Sequence, residues 1–193
     1  MSQKRIITIA GKLGSGKSST AKLLAAKLGY KHYSTGHFMR SIADARGISL
    51  IELNNIAEKD KSIDKELDNF NLKIGKMENI VLDSRLGFYF IPKSFKVFLE
   101  INSKIAAERI LKDAKTNPER HNEAVTNFDT KEVVTKNITS RLESEKKRYK
   151  DLYNIKNHTD HNNFDLVVNT DKKSLNEVVD EIQSKYKEWL DNN

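Results

Sequence analysis

Cysteine is absent from the 193-residue sequence, which excludes disulfide cross-links and thiolate metal centres. Proline is nearly absent, with two residues, and no stretch rich in proline, glycine and serine marks a linker between domains. Long hydrophobic runs are missing. None approaches the roughly 20 apolar residues that cross a bilayer. The opening MSQKRIITIAGK follows its basic residues with only five mainly apolar ones, too few for the core of a secretion signal. With charged residues at 32 %, the expectation is a very soluble cytoplasmic chain, residues 1–193 forming one domain large enough to bury a core. Acids are missing from the start: none precedes Asp44, whereas Lys4, Arg5, Lys12, Lys17, Lys22, Lys27, Lys31 and Arg40 are all basic. The surplus behind the net charge of +7 therefore lies in the first 40 residues. A phosphate ligand could use it there, although Lys22 and Lys27 read as a solvated helix face. Aromatics are not interleaved with these bases, so no nucleic-acid partner is expected.

What that segment does contain is GKLGSGKSST, residues 11–20. Gly11, Gly16, Lys17 and Ser18 satisfy G-x-x-x-x-G-K-[ST], a loop whose backbone N–H groups wrap phosphate oxygens, with lysine neutralising charge and the hydroxyl ligating Mg²⁺. Chance supplies such a match in about one chain of this length in a hundred, and the context lowers that further. RIITIA (Arg5–Ala10) is suited to a buried strand, and KSSTAKLLAAKLG (Lys17–Gly29) has Ala21, Leu24, Ala25 and Leu28 at helical spacing before a terminating glycine. Strand, glycine loop and helix stand in the required order, and the helix adds its positive dipole end to the loop.

Further strands are predicted at Lys31–Ser34, Asn79–Asp83, Phe95–Ile101 and Phe164–Val168. Helices are expected from Gly36 towards Arg46, from the capping box Ser49–Glu52, over Ser62–Met77, Ser103–Lys115 and Lys131–Tyr153, and from the capping box Ser174–Glu177 through Trp189. Residues 116–130 lack periodicity and read as a mobile loop. Ile138, Leu142, Tyr149 and Tyr153 form one stripe of the long helix after it. Five strands alternating with helices predict an α/β fold with a five-stranded parallel sheet covered on both faces. HTDH (His158–His161) reads as an exposed loop rather than a metal site, FYF (Phe88–Phe90) as packing beside the cleft, and Trp189 as packing of the last helix.

A phosphate loop alone fits hydrolases, motors, switches and kinases, so the acceptor has to be sought elsewhere. Four further segments stand out: YSTGHFMR (Tyr33–Arg40), ISLIELNNIAEKDKSIDKELD (48–68), VLDSRLGFYF (81–90) and RLESEKKRY (Arg141–Tyr149). Their order resembles the cytidylate kinases, nearer the short archaeal-like group than the longer bacterial one, within the nucleoside monophosphate kinases. That resemblance spans nearly the whole chain and implies a P-loop NTPase fold with a helical acceptor-binding insert (36–77) and a lid (116–153). It implies ATP with Mg²⁺, and CMP or dCMP as acceptor. Gly11, Lys12, Leu13, Gly14, Ser15, Gly16, Lys17, Ser18 and Ser19 would hold ATP, with Arg109 either joining them or pairing on the surface. Ser34, Thr35, Gly36, Arg40, Asp64, Asp83 and Arg85 would hold the acceptor, and Ser18 and Asp83 the metal. Lys17, Arg141 and Arg148 would be catalytic, and Asn169–Asp171 would touch adenine. The sequence departs from the pattern at His37, where relatives often have an acid, and at Phe70 and Asn71, where they have arginine and glutamine.

Spacing supports the lid independently: Arg141 and Arg148 are seven residues apart and project from one side of a helix. A monomer acting on small-molecule nucleotides, with no membrane partner, is the expectation. Adenylate kinase and a shikimate- or gluconate-type kinase stay open, as does a nucleotide-binding regulator or RNA-associated factor with little turnover.

Overall fold

The computed structural model describes residues 5–57, 60–116 and 130–192. It contains β1 (Ile6–Gly11), α1 (Lys17–Leu28), β2 (Lys31–Ser34), α2 (Thr35–Ala45), α3 (Leu50–Ala57), α4 (Lys61–Ile74), β3 (Ile80–Asp83), α5 (Gly87–Phe90), β4 (Phe95–Glu100), α6 (Ser103–Thr116), α7 (Lys131–Tyr153), β5 (Leu166–Asn169) and α8 (Leu175–Asp191). The sheet is parallel throughout, in the order β2-β3-β1-β4-β5. The expected loop at 116–130 falls, over 117–129, outside the described residues.

Alternation along the central strands divides the core. Ile7 and Ile9 of β1 face one side with Val81, Val97, Leu99 and Val168, where α1 (Ala21, Leu24, Ala25) and α8 (Val178, Val179, Ile182, Tyr186) cover them. Ile6 faces the other side with Ile80 and Leu82, closed by Ile74 and Ile91. Helices on both faces explain why the strands read as near-continuous apolar runs. Trp189 lies 5.9 Å from Tyr186 and 5.5 Å from Phe95, ring to ring, and docks the last helix as expected. Both capping boxes form: Ser174 with Glu177, and Ser49 with Glu52. α2, α3 and α4 have a small core of their own, built from Met39, Ile42, Ala43, Leu53, Ala57 and Ile63, so this insert can hold its shape beside the sheet.

Three elements differ from expectation, the first being α4, which ends at Ile74, capped by Gly75, rather than at Met77. The last strand begins at Leu166 rather than Phe164, because Phe164 turns its ring against Phe98 at 4.9 Å and Phe88 at 5.1 Å. FYF, expected only to pack, does so as the short helix α5. Register brings the chemistry together. Ile9 and Ser34 both pair with Asp83, and Gly11 pairs with Leu99, so the glycine loop, Ser34 and Asp83 share the carboxyl edge of the sheet, where open α/β sheets bind ligands.

Candidate active site

Residues 12–16 link β1 to α1 without a side-chain cap on the helix. Gly16 takes that position at φ 85°, in the left-handed region where glycine is favoured, leaving first-turn N–H groups directed outwards. Gly14 is required for a different reason. At φ 76° it backs onto α6, where a Cβ would come 2.9 Å from the Ala106 carbonyl oxygen. Lys17 Nζ donates to the Lys12 carbonyl at 3.1 Å, folding its ammonium over the loop. Ser15 donates to the same carbonyl at 2.7 Å and holds the turn from inside.

Beside the loop, Ser18 donates to the Asp83 carboxylate at 2.6 Å, Ser34 reaches the same oxygen at 3.4 Å, and Thr35 donates to the Asp83 carbonyl at 3.3 Å. A hydroxyl and a carboxylate in contact at a phosphate loop form the hard-oxygen set that suits Mg²⁺, which takes one or two protein ligands and completes its shell with water and phosphate.

A cavity of about 930 Å³ opens over this edge. Of the residues expected from sequence, Leu13, Gly14, Gly16, Lys17, Ser18, Ser19, Ser34, Thr35, Gly36, Arg40, Asp64, Asp83, Arg85, Arg109, Arg141 and Arg148 all line it. Gly11, Lys12 and Ser15 do not. Lys12 turns instead to an ion pair with Glu100, in a second cavity of about 410 Å³ that Asn169 and Asp171 also line. Arg109 donates to the Thr170 carbonyl at 2.6 Å and the Asp171 carbonyl at 3.3 Å, so it braces the loop after β5 while facing the main cavity.

The expected lid arginines both face carboxylates. Arg141 Nε lies 3.1 Å from Glu145, and Arg148 pairs with Asp64 of the insert. Arg85 Nε reaches the same Glu145 at 2.9 Å. Burial pushes the Glu145 carboxyl up, but Arg85 foremost, then His158 and Arg141, outweigh it and bring it down to about 2. Two turns on, Tyr153 donates to Asp68 at 2.7 Å, and burial of Asp68, with Asp64 near it, raises that carboxyl.

Several site residues escaped the sequence. Tyr149 and Tyr153 line the cavity, while Ile138 and Leu142 line the second one, so the stripe assigned to one surface serves two. Asn71 is buried and accepts from the buried Ser84 at 3.1 Å, and Phe70 stacks on Phe38 at 4.4 Å. Glu145 had a signal in its i, i+4 spacing from Arg141, which alone also describes a surface pair. The reading of HTDH as exposed is wrong for His158, which is 4 % exposed because its ring packs edge-on to Tyr149 at 4.9 Å and its Nε2 faces Glu145. His161 is exposed and pairs with Glu100. Among the described residues no group of three or more His, Cys, Asp or Glu side chains could hold a metal, and no helix is long and apolar enough to cross a membrane.

Sheet order, glycine loop and cation-lined cavity define a P-loop α/β protein of the kinase type. A shikimate kinase from Bacteroides thetaiotaomicron has the same fold, with a TM-score of 0.63 at 17 % identity over 95 % of this chain and 98 % of that one. Residues 6–172 match the cytidylate kinase-like family, and the chain belongs to that family. It is 35 % identical to the cytidylate kinase of Methanobrevibacter smithii over 178 residues, 90 % of this chain and 95 % of the relative. It is 34 % identical to that of Methanocaldococcus jannaschii over 184 residues, 93 % and 96 % of the two chains.

Proposed function

We propose that the protein is a cytidylate kinase that moves the γ-phosphoryl of ATP to the phosphate of CMP or dCMP, giving ADP and the corresponding diphosphate. The observation that carries this reading is the presence of Arg40, Arg85, Arg141 and Arg148, drawn from three separate segments, around the cavity that contains the phosphate loop. A nucleoside monophosphate brings an almost doubly charged phosphate up to the polyphosphate of ATP, a greater repulsion than a singly charged carboxylate acceptor would create, and cations on both sides of the cavity suit it.

Chemistry at a phosphate acceptor is undemanding of bases. A phosphate monoester has a second pKa near 6, so its attacking oxygen is already anionic at neutral pH. Catalysis then consists of alignment and charge neutralisation. The loop N–H groups and Lys17 hold the donor phosphates. Arg40 and Arg85 hold the acceptor phosphate, and Ser34 and Thr35 its nucleoside. Arg141 and Arg148 close over the transferring group from the lid (116–153) while the insert (36–77) closes from the other side, which excludes water as a competing acceptor. Ser18 and Asp83 would hold Mg²⁺, which supplies charge neutralisation on the donor phosphates.

Coupled assays of ADP formation from ATP and Mg²⁺, with CMP, dCMP, UMP, AMP or no acceptor, test the reading. It expects turnover that depends on a cytidine monophosphate. No acceptor-dependent ADP would defeat the enzyme assignment, and a preference for AMP would defeat the cytidylate one.

A further inference from the structure

We propose that His158 is a positioning residue for phosphoryl transfer: through Glu145 it holds Arg85 and Arg141 together as one cationic unit facing the transferring phosphate. The inference rests on the proposed kinase reading for its kinetic consequence, but its geometry is independent of any substrate.

Glu145 is the meeting point of three segments. Arg85 comes from the turn after β3, Arg141 lies one turn back on α7, and His158 comes from the connection between α7 and β5. Their distances to the carboxylate are 2.9, 3.1 and 3.7 Å respectively. The carboxylate side chain is 16 % exposed. Two guanidiniums this close repel each other, and each can adopt many rotamers; a shared, shielded carboxylate removes both difficulties. Glu145 itself, on a helix facing a cavity, needs something behind it to keep it from turning to solvent.

His158 is that support. Its ring is wedged under Tyr149 and 4 % exposed. Its Nδ1 is buried with no hydrogen-bond partner among the described residues. A buried nitrogen left unsatisfied costs stability, and an apolar ring of similar size would avoid that cost. Packing alone therefore does not account for histidine here; the polar contact the ring makes among the described residues, from Nε2 towards Glu145, does.

Three substitutions separate positioning from packing. His158→Phe keeps the ring and removes both nitrogens. His158→Asn keeps a polar group too short to reach Glu145. His158→Gln places an amide nitrogen near the Nε2 position. The readouts are steady-state kinetics with ATP and CMP, and the ¹⁵N-detected Nε–H signals of Arg85 and Arg141, assigned by substituting each arginine with lysine. In whichever of the Phe and Asn variants folds, both arginine signals should shift together and kcat should fall about tenfold, with KM for ATP changed by less than about twofold. His158→Gln should restore both. Unmoved arginine signals in a folded Phe or Asn variant would overturn the proposal, as would a Gln variant no better than Phe. Joint signal shifts in a protein whose wild type shows no CMP-dependent turnover would uphold the positioning and overturn the kinase reading instead.

Discussion

Lys17 is a half-buried cation at the glycine loop, and its surroundings weaken its hold on a proton. Burial above all, and then the neighbouring Arg85, bring its ammonium from 10.5 down to about 8, against the opposite pull of Asp83 and Glu145. Between about pH 8 and 10.5 the unfolded chain carries a proton that the folded chain has released, so the stability of the ligand-free protein rises with pH across that window. Below it both forms are charged, and the lysine costs the fold about 2 kcal/mol, allowing for its partial exposure. Lys17→Met should therefore be more stable than wild type at pH 7 by about that amount in urea unfolding, and should lose the rise between pH 8 and 10.5. Its turnover should fall about 10³-fold; turnover within tenfold of wild type would contradict the assigned role. Lys17 and Ser18 were legible in the sequence because their geometry is local, set by a glycine loop and the helix that follows. Glu145 and His158 were not. A glutamate spaced from arginines on a helix and a histidine in a polar stretch look the same whether they meet in a cavity or face solvent, and 13 residues separate them along the chain.

At the scale of elements, α7 is the part on which most depends. It is tied to α4 twice, by Arg148 to Asp64 and by Tyr153 to Asp68, so the two helices touch at the edge of the cavity. Burial first, then the hydrogen bond to Asp68, pushes the Tyr153 phenol well above its usual range and keeps it a donor throughout the physiological range. Tyr153→Phe removes one tie. Amide hydrogens in the last two turns of α7 should then exchange about tenfold faster, a change of about 1.4 kcal/mol in local opening, with the central strands unaffected; unchanged exchange would show that the tie is not what holds the helix down. The strands and long helices were legible through alternation, helical spacing and capping boxes. α5 and the late start of β5 were not, because both follow from aromatic rings meeting across the sheet edge, Phe88 and Phe98 with Phe164, a contact with no local signature.

For the whole molecule, the charge pattern of the first 40 residues promised more than it delivers locally. Of its described basic residues, Lys17 and Arg40 line the main cavity; Lys12 pairs with Glu100 and Lys27 with Asp180, and Lys22 and Lys31 are exposed. The remaining cations of the site come from α6, from the turn after β3 and from α7. Only the parallel sheet, by gathering strand ends at one edge, turns these distant segments into a single cleft. In the proposed reaction these cations cancel the repulsion between two nucleotide anions, and a crystal structure with CMP, Mg²⁺ and a non-hydrolysable ATP analogue reads that arrangement out at first hand. Arg40, Arg85, Arg141 and Arg148 should each contact phosphate, with the analogue's terminal phosphorus in line with a CMP phosphate oxygen. Nucleotides bound with those arginines turned away, or CMP seated outside the cavity over the glycine loop, would contradict it.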